Sequence, residues 1–184
     1  MVLRIQPKPS SMHGPQHVPP MMTRSFLSRK EVSGISIVGS ALDARGAALW
    51  ACKATASDCP KGATGYARCV KVRFTNSNNI RVNWLLSLNS QKFHLVINRC
   101  QNVHMQGVTV RATRNSPITD GIHVQLSTNV TILNSSIKTG DDCISIGPGT
   151  RNLWIEQISC GPGHGISIGS LAKELEEEGV QRDS

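Results

Sequence analysis

The chain has 184 residues, of which 39% are hydrophobic, 4% aromatic and 17% charged, and its formal net charge is +8. That length and apolar fraction suit one folded domain and exclude a disordered tail, and no stretch approaches the roughly 20 apolar residues of a membrane-spanning helix. Twenty Lys+Arg against twelve Asp+Glu admit a polyanionic partner (nucleic acid, anionic membrane or acidic polysaccharide), and composition does not choose among them.

From the N-terminus, residues 1–31 carry five prolines and no hydrophobic period, so they read as an irregular segment without the apolar run of a secretory leader. The cysteines at 52, 59, 69, 100, 143 and 160 form no Cys-x-x-Cys pair, which argues against structural zinc. Their even number and wide spacing suit disulfides and an extracellular home, in conflict with the N-terminal segment. Trp50, Trp84 and Trp154 are expected to be packing residues rather than sugar platforms.

Residues 32–171 are repetitive. Asn79-Ile-Arg-Val, Asn102-Val-His-Met, Asn129-Val-Thr-Ile and Asn152-Leu-Trp-Ile recur after 23, 27 and 23 residues, and Gly34-Ile-Ser-Ile lies 45 residues, two periods, before the first. A second series, Ile122-His-Val, Ile144-Ser-Ile and Ile166-Ser-Ile, is spaced by 22 and 22, while His94–Ile97 is assigned to the preceding turn of the solenoid. An apolar period of two with a repeat near 22–23 predicts an all-β solenoid of parallel strands, making about six turns between 32 and 170. A β-sandwich is the alternative. Asn at the strand starts suits a turn, where its side chain bonds nearby backbone and tolerates left-handed geometry.

The second series places the chemistry. Asp120, Asp142 and His164 each stand two residues before the first isoleucine of a strand, so the 22-residue step stacks them on adjacent turns beside Asp141. Strand parity would bury Asp142, and burying several unpaired charges is very costly. A turn before each strand, with Gly121, Gly140 and Gly165 permitting unusual backbone angles, lets these groups face outward. His123, Ser145 and Ser167 then face the same groove. Stacked carboxylates raise at least one pKa, leaving an acid beside a base, as glycoside hydrolysis requires. A calcium site and an inert aspartate ladder are the other readings of the same cluster.

Ser116-Pro-Ile-Thr-Asp-Gly-Ile-His-Val124, Thr139-Gly-Asp-Asp-Cys-Ile-Ser-Ile-Gly-Pro-Gly149 and Cys160-Gly-Pro-Gly-His-Gly-Ile-Ser-Ile-Gly-Ser-Leu171 resemble three of the four motifs of plant-type polygalacturonases, glycoside hydrolase family 28. The likeness extends upstream through Leu42–Gly46 and Asn83–Asn102. It implies a right-handed parallel β-helix that hydrolyses the α-1,4 links of polygalacturonate with inversion. Asp141 would be the general acid, Asp120 and Asp142 would hold and activate water, and His164 would orient the acid. His123, Ser145 and Ser167 would line the substrate site. The resemblance also implies Cys143–Cys160 and Cys52–Cys59 disulfides, no metal or cofactor, and a monomer in the cell wall. Its partner would be pectin, not nucleic acid or membrane.

Two departures shape the functional expectation. The first motif reads Ile118-Thr-Asp where the family has Asn-Thr-Asp, which predicts reduced activity. The fourth motif, Arg-Ile-Lys, is expected some thirty residues beyond Leu171, and the sequence ends at Ser184. The chain therefore reads as an incomplete solenoid without the cationic clamp, poorly soluble alone, with residues 172–184 as an acidic, solvated tail. A rhamnogalacturonan hydrolase and a non-catalytic pectin-binding protein are the competing expectations.

Overall fold

The computed structural model describes residues 2–4, 27–47, 49–51, 72–173 and 175–182. Thirteen strands are present among them. Those of the first half are β1 (Val2–Arg4), β2 (Leu27–Lys30), β3 (Ser33–Asp43), β4 (Val72–Thr75), β5 (Asn78–Leu88), β6 (Leu95–Asn98) and β7 (Gln101–Gln106). They continue as β8 (Thr109–Arg111), β9 (Ile122–Gln125), β10 (Thr128–Lys138), β11 (Ile144–Ile146), β12 (Arg151–Cys160) and β13 (Ile166–Ile168). All pairings are parallel. One sheet runs β1-β3-β5-β7-β10-β12, with β8 between β5 and β10, and the other runs β13-β11-β9-β6-β4-β2. Apart from β7 and β8, which both lie in the first sheet, successive strands of the chain alternate between the sheets, which makes a β-solenoid.

Alternation dictates the core. Ile35, Ile80, Val103, Val130 and Leu153 share one register column, and Ile37, Val82, Met105, Ile132 and Ile155 the next. Across the interior stand Val72, Leu95, Ile122 and Ile144, then Phe74, Ile97, Val124 and Ile146. Nearly all are buried, so each turn hides its apolar side chains against the turns above and below. The same columns end at Ile166 and Ile168, which are 48% and 61% exposed because β13 is the last strand of its sheet.

The corners explain the asparagines. Asn79, Asn102, Asn129 and Asn152 all adopt left-handed φ of 52–56°, and Gly34 holds the same place on the preceding turn. Their side chains bond one another along the stack. Asn102 donates to Asn79, Asn129 to Asn102 and Asn152 to Asn129, each at 3.3 Å. Two further left-handed columns mark the other corners: Gly39, Trp84, Gly107, Asn134 and Gln157, and Glu31, Asn76, Arg99, Leu126 and Gly149.

Several expectations are corrected. Gly34–Ile37 is one turn before Asn79, since Ile35 pairs directly with Ile80; the 45-residue interval is a single long circuit. Residues 33–151 therefore complete four turns, and the six expected came from dividing length by period. His94–Ile97 does lie on the preceding turn, as expected: Leu95–Asn98 is β6, and Leu95 pairs with Ile122, 27 rather than 22 residues on. The segment 1–31 is not wholly irregular, because β1 and β2 join the two sheets. The acidic tail is not only solvated. Gln181 pairs beside β12 through Thr150 and Asn152, and Val180 packs on the core.

Candidate active site

Register carries the stack into three dimensions. Ile122, Ile144 and Ile166 are partners on β9, β11 and β13, so Asp120, Asp142 and His164 fall on successive turns. Backbone bonds extend the ladder into the preceding loop: Gly121 N donates to Asp142 O at 2.9 Å, Cys143 N to Gly165 O at 2.8 Å, and His164 N to Asp141 O at 2.9 Å. Because Leu95 pairs with Ile122, Phe93 occupies the equivalent place one turn before Asp120. Regular strand structure begins only after Asp142, which frees Asp141 and Asp142 from strict alternation and leaves both half-buried.

The three carboxylates differ in environment. Asp120 is 7% exposed, and Ser145 Oγ donates to its Oδ2 at 2.6 Å. Ser167 Oγ donates to Asp142 Oδ2. Asp141 Oδ1 accepts from the Asp142 backbone N–H at 3.0 Å and faces His164 Nδ1 at 3.3 Å, with His164 largely exposed. Burial pushes the Asp120 pKa up to about 6; the Ser145 hydroxyl opposes the rise, and the Asp141 and Asp142 charges add to it. The rise expected of stacked carboxylates thus falls on the most buried one, and desolvation outweighs repulsion as its cause.

His123, Ser145 and Ser167 form one register column on the outer face of this sheet, below the aspartates. Their polar atoms are engaged within the protein. His123 Nδ1 meets Ser145 Oγ at 2.8 Å, and His123 Nε2 meets Gln125 Oε1 at 3.1 Å. Phe93 stacks on the imidazole at 5.2 Å between centroids and 14° between planes. Burial lowers the His123 pKa, with Gln125 opposing and Arg73 reinforcing the shift.

Beneath the loops lies a hydroxyl cluster that motif reading alone does not single out. Ser116 Oγ donates to Thr113 O at 2.6 Å and meets Thr119 Oγ1 at 2.7 Å. Thr119 in turn meets Thr139 Oγ1 at 2.8 Å. All three residues are buried, and they tie the Asp120 loop to the Asp141 loop. Their signal was present in the threonines just ahead of the aspartates. Phe93 gave none, since it lies on a turn that the 22-residue spacing does not reach, and Gln125 gave none because, although on β9, it has no like residue at the matching place of the next two strands. Cys143 and Cys160 form a disulfide with Cα atoms 5.9 Å apart.

The glycines act in two ways. Gly165 has φ of +94°, the unusual backbone expected of it. Gly121 is there for space instead, because an added Cβ would lie 2.5 Å from the Cys143 carbonyl oxygen. Ile118 is 46% exposed with φ of +55°, an unfavourable conformation for a β-branched residue. Of the tryptophans, only Trp50 is buried. Trp84 is 61% exposed yet packs across Gly107 of the next turn, and Trp154 is 53% exposed on the outer face. Cys52, Cys59 and Cys69 lie outside the described residues, whereas Cys100 is a buried free thiol whose pKa desolvation raises.

Asp141, Asp142 and His164 bring one ligand atom each within 4.8 Å of one another. A hard cation such as calcium takes about six to eight oxygens, and this trio offers two carboxylates and an imidazole already paired with one of them. The constellation is better equipped for proton transfer between neighbouring carboxyls.

Residues 17–182 match the sequence family described as glycosyl hydrolases family 28. The chain belongs to glycosyl hydrolase family 28. Among its family 28 relatives, it is 64% identical over 151 residues to a polygalacturonase of Prunus persica, covering 82% of this chain and 37% of that protein. It is 42% identical over 157 residues to an exopolygalacturonase of Platanus acerifolia, covering 85% and 41%. The fold resembles an endo-xylogalacturonan hydrolase from Aspergillus tubingensis, with TM-score 0.69 and 26% identity over 79% of this chain and 40% of that one. A polygalacturonase from Erwinia carotovora shares the fold at TM-score 0.61 and 23% identity, over 89% and 48%. This family 28 chain therefore spans about two fifths of the length of the curated relatives it matches.

Proposed function

We propose that the chain carries the acid–base centre of a pectin hydrolase that cleaves α-1,4-galacturonosyl links with inversion. The observation that carries this reading is the set of Asp120, Asp141 and Asp142 on adjoining turns, each held by a different partner. Asp141, more accessible than Asp120, protonates the leaving oxygen, and His164 at 3.3 Å orients it and tunes its charge. Asp120 and Asp142, fixed by Ser145 and Ser167, hold a water molecule and take its proton. A carboxylate whose pKa is raised to about 6 is a stronger proton acceptor than an ordinary one, which suits Asp120 to that task. Ser145 and Ser167 serve the substrate by fixing these two carboxylates. No metal or cofactor enters this scheme.

The polyanionic substrate is in keeping with the +8 net charge. We place the protein outside the cell, acting on the wall as a monomer, since the Cys143–Cys160 disulfide suits an oxidising compartment. No helix among the described residues is long and apolar enough to cross a membrane. Ile118, where the family motif has Asn, favours a second reading, a pectin-binding protein with little turnover.

Release of reducing ends from polygalacturonate by the full-length protein and its Asp141→Asn variant separates the readings. Loss of a general acid lowers the rate about 10²- to 10⁴-fold. Equal rates for both proteins, or none from either, remove the hydrolase reading. Faster release from rhamnogalacturonan than from polygalacturonate reassigns the substrate.

A further inference from the structure

The contacts from Asp120 to Asn98 form a single chain. Asp120 Oδ2 meets Ser145 Oγ at 2.6 Å, Ser145 Oγ meets His123 Nδ1 at 2.8 Å, and His123 Nε2 meets Gln125 Oε1 at 3.1 Å. Gln125 Nε2 then donates to Asn98 Oδ1 at 3.1 Å. The amide orientation of Gln125 decides the histidine: a carbonyl oxygen faces Nε2, so Nε2 must carry a proton. Three contacts remain to be filled between Asp120 and Gln125, and each needs one hydrogen. The Ser145 hydroxyl supplies one and His123 Nε2–H a second. An ionised Asp120 facing a neutral His123 leaves the third empty, with two lone pairs opposed at Ser145.

We infer that Asp120 and His123 share one additional proton through the Ser145 hydroxyl, so that His123 is a positioning residue that sets the strength of Asp120 as a base. In one form the proton sits on Asp120 Oδ2, which donates to Ser145 Oγ, and Ser145 donates to His123 Nδ1. In the other, Asp120 Oδ2 has given its proton to Ser145, and Ser145 has given its own to His123 Nδ1. Asp120 is then ionised and His123 is an imidazolium. Both forms fill all three contacts.

The surroundings limit the second form without excluding it. Arg73 on β4, one strand beyond β6 in the same column, repels an imidazolium. Lys92 carries its Nζ 5.7 Å from the centroid of the Phe93 ring that stacks on His123. Asp120, Asp141 and Asp142 favour positive charge on the other side. The burial that lifts Asp120 and depresses His123 draws their titrations towards each other, the condition under which a pair titrates as one unit.

The inference takes its catalytic meaning from the assignment of Asp120 as base, but its test needs no turnover. In full-length protein labelled at aspartate ¹³Cγ and histidine ¹⁵N, the Asp120 and His123 resonances are expected to move with one common midpoint, and Ser145→Ala is expected to separate them. Independent midpoints in the unmodified protein overturn the inference, as does an Nδ1–H tautomer of His123 at every pH, because a reversed Gln125 would then satisfy an ionised Asp120. In the active enzyme, His123→Phe keeps the stack on Phe93 and frees Ser145 to donate to Asp120 alone. The acid limb of kcat/KM is then expected to move to lower pH by about one unit. An unmoved limb also overturns the inference. A common midpoint in a protein that releases no reducing ends removes only the hydrolase reading.

Discussion

Asp120→Asn is expected to stabilise the protein while removing its proposed base, and the size of the gain can be worked from the site. Asp120 is 7% exposed and its pKa stands at about 6, against an ordinary 3.8. A difference of about two pH units at 1.36 kcal/mol per unit is an order-of-magnitude cost of about 3 kcal/mol for folding with this carboxyl ionised. The sign follows from proton uptake. Between pH 3.8 and about 6 the folded state binds more protons than the unfolded one, so stability falls as pH rises through that window. Asparagine is nearly isosteric, can still accept from Ser145 Oγ, and carries no charge to desolvate or to repel Asp141 and Asp142. Urea unfolding of both full-length proteins between pH 3.5 and 7.5 measures the effect. The two stabilities should nearly coincide at the acid end, and the variant should be ahead by about 3 kcal/mol at pH 7. A gap that stays constant with pH, or a variant less stable at pH 7, would refute the desolvation account.

Two further substitutions probe the backbone. Ile118→Asn places at φ +55° a residue that tolerates left-handed geometry, and should raise stability by about 1 kcal/mol in thermal melts; a loss would show that the Ile118 side chain packs better than its exposure suggests. Asn129→Ala removes the middle of the amide ladder and puts a Cβ-bearing residue without αL preference at φ +56°, so a loss of about 1–3 kcal/mol is expected. Asn129→Gly should recover part of that loss, and equal losses for the two would show that left-handed geometry contributes nothing.

The repeat and the chemistry were legible for different reasons. Asn79, Asn102, Asn129 and Asn152 announced the corners because left-handed geometry restricts residue type strongly. The aspartate stack was legible because β9, β11 and β13 follow one another at a constant interval of 22. Where the interval lengthened, the signal weakened: β6, 27 residues before β9, still fell on the preceding turn, but β3, 45 before β5, was placed a turn too far away. Burial was the other blind spot. Nothing in the spacing ranked Asp120 as the most buried of the carboxyls, and the link from Asp120 to Gln125 crosses two turns and depends on side-chain rotamers that no linear pattern encodes.

The 45-residue circuit between Ile35 and Ile80 returns to register as faithfully as the 23-residue circuits that follow it. Strand alignment is therefore indifferent to contour length, and a corner can serve as a splice point. Segments exchanged at the corner ahead of β6, β9 or β11 would remodel the rim around the aspartates while the rungs beneath keep their alignment. Loop diversity can accumulate in the rim while the strand register beneath stays fixed, and these junctions are natural places to graft new segments.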